Sequence, residues 1–337
     1  ADFLPNFRMG DMIYMYAYHE YEEPDVRKTL LFKGNLIEIH SNSLTVHLTD
    51  GQQDPSAFVD TTYAIEHSGS DASTTSAIRS LHRFITSRQS FKDLLLAQRQ
   101  PRNDKSIQLS HSYNSSYDEI ILKAKQALDY FLLVGPPGTG KTSMALQYMV
   151  RDSISSNQSI LLMSYTNRAV DEICGMLTDN DIDYIRISNE FTCDAKYKHH
   201  LLSQIIENCP KLNVIRQKIV DCKVIVGTTS TIQSKSYLFN LKHFSTVIVD
   251  EASQILEPNI IGLLAQAGTK FILIGDYKQL PAVVQQDTAI STVNEVSLNN
   301  VCLDNCRNSL FERLIRIENR NRRQEFTGVL NHQGRMH

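Results

Sequence analysis

The chain has 337 residues, 42% of them hydrophobic and 21% charged, with a formal net charge of -3 and a pI near 6.4. These proportions exclude a mainly disordered or fibrous protein and leave room for one large domain with one or two smaller ones. No apolar run approaches the roughly 20 residues that cross a bilayer, and the N-terminus lacks the basic-then-apolar layout of a secretion signal, so an intracellular protein with no membrane partner is expected. Six cysteines in such a chain read as free thiols.

From Phe7 to about Glu66 the sequence predicts short strands, Met12 to Tyr18, Leu30 to Ile39 and Ser43 to Leu48, with Asp50-Gly51 as a turn. Short strands joined by turns imply a small antiparallel β-barrel over residues 1–66. Ser68 to Thr75 reads as a linker, and Ile78, Leu81 and Ile85, then Phe91, Leu94 and Leu95, recur at helical spacing, so residues 67–105 are expected to form a linker and helical stalk. The polar face of that stalk carries Arg79, Arg83, Arg88 and Lys92, which could track phosphates but are more commonly explained as a solvated helix face.

From about Ser106 onward, apolar strands alternate with longer segments of helical period. This predicts an α/β domain over 106–337, a parallel sheet with helices on both faces. The strands are placed at Tyr130 to Val134, Ser159 to Ser164, Lys223 to Gly227, Thr246 to Val249 and Lys270 to Ile274.

The first of these strands runs into Gly135-Pro136-Pro137-Gly138-Thr139-Gly140-Lys141-Thr142, which has the G-x-x-x-x-G-K-[ST] spacing in a strand, loop, helix context. Glycines let backbone N–H groups turn inward around a phosphate, and the following helix presents its partially positive end to the same anion. Lys141 is the residue for the outer phosphates and Thr142 for Mg²⁺. The strand Val247 to Val249 ends in Asp250-Glu251, where Asp250 can join the magnesium shell and Glu251 can activate a water. A third strand ends in Gly275-Asp276-Tyr277-Lys278-Gln279-Leu280-Pro281, with the Gln279 amide available to a phosphate oxygen.

Taken in order, these segments resemble superfamily 1B helicases, in the branch of the nonsense-mediated decay RNA helicase, senataxin-like proteins and the replication nuclease-helicase. The resemblance also rests on Ser164-Tyr165-Thr166-Asn167 followed by Ala169-Val170-Asp171, on Gly227 to Thr231, on Asp250 to Gln254, and on Gln333-Gly334-Arg335-Met336-His337. AAA-type ATPases share the glycine-rich loop but do not pair it with Asp-Glu-Ala-Ser-Gln and a following Gly-Asp-x-x-Gln-Leu-Pro.

The resemblance implies a first RecA-like domain preceded by a small barrel and stalk, binding ATP with Mg²⁺. It implies Thr166, Asn167, Thr228 and Thr229 facing a single nucleic-acid strand, Gln279 sensing the γ-phosphate and Arg335 acting as an arginine finger. It further implies a second RecA-like domain in a longer parent chain. A cytoplasmic or nucleoid-associated protein is expected, and the motifs leave both DNA and RNA open as its strand, with DNA the one leaned to. The alternative is a nucleotide-dependent nucleic-acid-binding module without motor activity.

Two positions depart from the family. Where it has Asn-x-x-Gln ahead of the phosphate loop, this chain has Asn114 and Tyr117, and where it has an aromatic residue before the final arginine, this chain has Gly334. Linked changes would let Tyr117 take over base stacking with relaxed reading of adenine, and packing of Tyr117 in the core is the competing expectation. Cys193, His199, His200 and Cys209 fit no familiar zinc spacing, and Arg316, Arg320, Arg322 and Arg323 suit a solvated helix end as well as a strand contact.

Overall fold

The computed structural model describes residues 7–19, 21, 25, 29–40, 42–49, 58–59, 61–68, 72–136, 138–207, 209, 211–279, 282, 284 and 286–330. Five features read from the sequence lie outside them: the Asp50-Gly51 turn, Pro137, Leu280, Pro281, and the terminal Gln333 to His337 with Gly334 and Arg335. The chain divides into two compact units, Ala1–Ser73 and Thr74–His337.

The first unit is an antiparallel sheet of β1 (Met12–Ala17), β2 (Leu31–Ile39), β3 (Leu44–Leu48) and β4 (Tyr63–His67), in the order β3-β2-β1-β4. Alternation along β2 puts Phe32 and Leu36 on one face, where Ile13 joins them opposite Gly34, while Tyr16 is buried on the other face with its hydroxyl on Glu66. A Cβ at Gly34 would lie 2.7 Å from Val46 and 2.8 Å from the carbonyl of His47, so this glycine lets β2 and β3 approach. No pairing among the described residues joins β3 to β4, the step that would close the sheet into a barrel.

In the second unit the strands are β5 (Tyr130–Val134), β6 (Ile160–Ser164), β7 (Ile185–Ile187), β8 (Val224–Thr228), β9 (Thr246–Val249), β10 (Lys270–Gly275) and β11 (Thr327–Val329). They form one sheet in the order β11-β5-β10-β9-β6-β8-β7, and every pairing is parallel. Five of these strands coincide with the expected ones to within a residue at either end. The sequence reading missed β7 and β11, each only three residues long.

The helices are α1 (Ala72–Ile85), α2 (Gln89–Leu95), α3 (Asp118–Gln126), α4 (Gln147–Ser155), α5 (Asn167–Asp179), α6 (Leu202–Ile206), α7 (Leu212–Asp221), α8 (Thr229–Ser234), α9 (Leu238–Leu241), α10 (Glu257–Ala267), α11 (Thr288–Ser291), α12 (Val296–Asn300) and α13 (Leu310–Arg320). Strands β5, β6, β8, β9 and β10 are buried almost throughout, as parallel strands covered on both faces must be.

Helix α1 corrects the reading in two ways. It begins at Ala72, inside the stretch expected to be linker, and its apolar stripe does not face the core: Ile78, Leu81 and Ile85 are 62%, 40% and 66% exposed. The buried face is built on Ser80, whose hydroxyl accepts a bond of 2.9 Å from the Gly262 backbone N–H of α10. A Cβ at Gly262 would come within 2.2 Å of the Ser80 carbonyl oxygen. Close approach of two backbones through small residues has decided which side of α1 is buried, and the apolar periodicity has not.

Five of the eight side chains in the expected basic runs are bonded within the fold. Arg83 donates to Ser236 Oγ, Lys92 to the Ile85 carbonyl, Arg320 to the Asn300 carbonyl, Arg316 pairs with Asp304, and Arg323 makes two 2.7 Å bonds to buried Glu318. Arg313 is almost fully buried, forks onto Glu257 with two bonds of 2.7 Å, and donates to the Leu95 carbonyl, locking α13 to α10 and α2. Within the described residues, no helix is long and apolar enough to cross a membrane.

Candidate active site

The phosphate loop leaves the end of β5 beside β10, tied by a 3.1 Å bond from the Gly135 N–H to the Gly275 carbonyl. Gly138 and Gly140 have φ of 77° and 75°, the left-handed region open to glycine at little cost. Thr139 closes the turn by donating its hydroxyl to the Pro136 carbonyl at 2.7 Å. Lys141–Leu146 then winds as wide π-helical turns before α4, with the Gly140 carbonyl accepting from both Met144 and Ala145 N–H at 3.0 Å. Such widened turns recur at functional sites.

Beneath the loop, the Thr142 hydroxyl donates to Asp250 Oδ2 at 2.6 Å. Asp250 stands at the exit of β9, buried, and its other oxygen accepts the Glu251 N–H at 2.9 Å. Its backbone is held on both sides, its N–H by the Met163 carbonyl and its carbonyl by the Ser164 hydroxyl. Burial raises its pKa, and the Thr142 hydroxyl and Glu251 N–H only partly oppose this.

Glu251 is half-buried, with φ of 53°, a left-handed conformation that costs a non-glycine residue roughly 1–2 kcal/mol. Burial, then the charges of Asp250 and Glu172, push its pKa up, against the pull of Lys141 and Arg168. A carboxylate moved toward neutral pH is a better proton acceptor than an ordinary one.

The third segment meets the second directly. Ser253 Oγ accepts the Asp276 N–H at 3.3 Å, and a Cβ on Gly275 would lie 3.0 Å from the Ser253 backbone nitrogen. Asp276 is buried and receives the Lys278 N–H and the Gln279 side-chain amide. Gln279 is thus exposed but folded back onto its own loop. Ser164 and Ser253 carry no chemical signal of their own in the sequence, yet their hydroxyls couple β6, β9 and β10 at the site.

Tyr117 stands at the N-terminus of α3, behind an Asx turn in which Asn114 Oδ1 accepts the Ser116 N–H. Its hydroxyl donates to the Thr139 carbonyl at 3.2 Å, and its ring meets Tyr148 edge-on at 5.8 Å. A Cβ at Gly140 would lie 2.8 Å from that hydroxyl. Tyr117 therefore braces the phosphate loop. It also lines a cavity of about 460 Å³ that runs from Thr139 between Ile120 of α3 and the edge strand β11, with Gly328, Val329 and Gln324 in its wall.

The four residues expected to face a strand separate into two kinds. Thr166 is exposed, and its hydroxyl caps α5 by accepting the Ala169 N–H at 3.1 Å, with Asn167 half-buried beside it. Thr228 and Thr229 are buried, and the Thr228 hydroxyl is occupied in capping α8, accepting the Thr231 N–H and donating to Thr231 Oγ1 at 2.8 Å.

Residues 112–214 and 210–287, together just over half the chain, match the AAA domain family. The chain belongs to this family. Among curated proteins it is 36% identical over 187 residues to the DNA replication ATP-dependent helicase/nuclease JHS1 of Arabidopsis thaliana, covering 56% of this chain and 14% of that protein. It is 36% identical over 180 residues to DNA2 of Saccharomyces cerevisiae, covering 52% and 11%. The chain thus spans about a seventh or less of the length of these two relatives. The UvsW helicase of bacteriophage T4 aligns over 58% of this chain and 62% of its own at 16% identity with a TM-score of 0.36, too slight a likeness to build on. The resemblance drawn from the motifs, to the replication nuclease-helicase branch of superfamily 1, holds, and with it the use of a nucleotide.

Proposed function

We propose that the chain is the ATP-binding part of an ATP-dependent helicase or translocase that hydrolyses ATP with Mg²⁺ to move along a single nucleic-acid strand, DNA in preference to RNA. The observation that carries this reading is the 2.6 Å contact between Thr142 and Asp250 beneath a glycine-rich loop, with Glu251 held beside it in a left-handed turn. The names of the DNA replication relatives support DNA as the strand. On the same reading, residues 1–66 and the stalk 67–105 serve 106–337 as a grip on the strand, a second RecA-like domain belongs to the parent chain, and the protein works inside the cell.

The residues suit magnesium. A hydroxyl and one carboxylate are hard oxygen donors in contact, the sparse protein share this ion takes when phosphates and water complete its shell. When bound, Mg²⁺ would supply positive charge against the phosphate oxygens. Thr142 and Asp250 hold its place, and Gly135, Pro136, Pro137, Gly138, Thr139 and Gly140 supply the loop whose N–H groups bind phosphate. Lys141 carries the charge for the outer phosphates. Glu251 orients the attacking water and takes its proton, Gln279 leaves Asp276 for the γ-phosphate, and Arg335 adds charge in the transition state. Tyr117 forms one wall of the base pocket, which lacks the family's adenine-reading glutamine, so similar turnover of ATP and GTP is expected.

The test is ATP hydrolysis by the full-length protein with and without single-stranded DNA or RNA, alongside Glu251→Gln. Strand-stimulated turnover that falls by about 10²–10⁴ in Glu251→Gln supports the motor. ATP binding with no turnover on either strand would leave the nucleotide-dependent binding module in its place.

A further inference from the structure

Strand β10 begins at Lys270 and ends at Gly275 against the phosphate loop, so Lys270 lies at the opposite end of the sheet. Two cavities of about 300 and 310 Å³ open there, and both have Leu128 and Lys270 in their walls. Their ionisable lining is unbalanced: Arg88, Arg99, Arg102, Lys125 and Lys270 against Asp129 and Asp152.

Both carboxylates are already engaged. Asp129 receives Arg99 and Arg102 at 2.8 Å each, and Asp152 receives Lys125 at 3.0 Å. That leaves two cations with no carboxylate in contact among the described residues. Lys270 Nζ donates to the Ala124 and Lys125 carbonyls at the last turn of α3, which accounts for two of its three N–H bonds. The Arg88 guanidinium makes no hydrogen bond or ion pair among the described residues, and Arg102 Nη1 is also unused.

Capping the end of α3 explains where the Lys270 ammonium points, but not why its residue also lines a polar cavity with a second unpaired cation, Arg88, in the wall. Burial lowers its pKa to about 8, with Asp152 only partly opposing this. A desolvated ammonium that touches only neutral carbonyls gains from an incoming anion far more than a solvated one does.

We propose that the cavity of about 310 Å³ at this end of the sheet is a second anion site, distinct from the phosphate loop, which takes a compact polyanion with phosphate or carboxylate oxygens between Lys270, Arg88 and the free edge of Arg102 in its wall. Cavities of this size suit an ion such as pyrophosphate or a tricarboxylate.

The test is calorimetric titration of the chain carrying Lys141→Ala, which disables the phosphate loop, with inorganic pyrophosphate and separately with citrate. At least one probe is expected to bind without displacement by ATP, and to lose about tenfold in affinity in Lys270→Met and severalfold in Arg88→Ala. Whichever probe binds names the oxygen chemistry. Arg88 is exposed, so its variant retains the fold even if Lys270→Met does not. Binding of neither probe, binding that Arg88→Ala and a folded Lys270→Met both leave unchanged, or displacement by ATP would each overturn the proposal.

Discussion

Asp129, at the foot of β5, and Asp250, at the head of β9, are both buried carboxylates of one sheet, and their surroundings pull them in opposite directions. Burial pushes Asp129 up, but the Arg99 and Arg102 guanidiniums and the Arg102 N–H outweigh it and hold the group at about 2. Asp250 has a hydroxyl and one N–H for company, too little to offset its desolvation, and is raised. At the foot the chain itself supplies counter-charge to its carboxylates, as Arg313 also does for Glu257 and Arg323 for Glu318. At the head no cation of the described residues touches Asp250, Lys141 acts on it only from a distance, and a metal-nucleotide complex would bring the missing charge.

Breaking a compensated pair should have the largest effect. Arg313→Met strands Glu257 and should cost about 3–5 kcal/mol, lowering the melting temperature by on the order of 10 °C. A change below about 1 kcal/mol would mean that these pairs are not what holds α13 in place. Gly262→Ala tests the small-residue seam between α1 and α10. The added methyl overlaps the Ser80 backbone, and a loss of about 1–3 kcal/mol with faster amide exchange along α1 is expected.

At the head of the sheet the effects on stability should be smaller. Thr166→Ala removes the cap of α5 and should cost about 1 kcal/mol in chemical denaturation, while Thr166→Ser keeps the hydroxyl and should cost far less. Equal losses would mean that the threonine methyl, and not the cap, stabilises this turn.

The pH dependence sharpens the contrast without disturbing the fold. Asp129, depressed in the folded state, contributes stability that is complete above its unfolded value of about 3.9 and is lost as pH falls toward about 2. Glu251 is raised, so it stays protonated and inactive to a higher pH than an ordinary glutamate. Hydrolysis should therefore rise with pH along an acid limb above the usual carboxylate range. A limb at the usual glutamate value, in a pH series of initial rates, would remove Glu251 from the role of base.

Much of this was legible in the sequence, for identifiable reasons. Strands such as Tyr130–Val134 and Thr246–Val249 are unbroken apolar runs because they are buried on both faces, and the phosphate loop has fixed spacing because backbone must wrap an anion. Strands Ile185–Ile187 and Thr327–Val329 are too short to show any period, so the edge lining the 460 Å³ cavity went unread. Ile78, Leu81 and Ile85 gave a helical period without a partner, since Ser80 and Gly262 carry no hydrophobic signal. Arg99 and Arg102 reach Asp129 across about thirty residues, a pairing that local pattern does not show. Thr228 and Thr229 matched a motif by type, but their burial depended on the start of α8.

The most direct test of the account is the magnesium dependence of ATP-analogue binding, measured by titration for the unaltered chain, Thr142→Ala and Asp250→Asn. Magnesium should tighten binding in the unaltered chain, most of this gain should disappear in both variants, and affinity without magnesium should stay close to the original. If Asp250→Asn keeps the full magnesium gain, the uncompensated carboxylate at the head of β9 is not the metal's place.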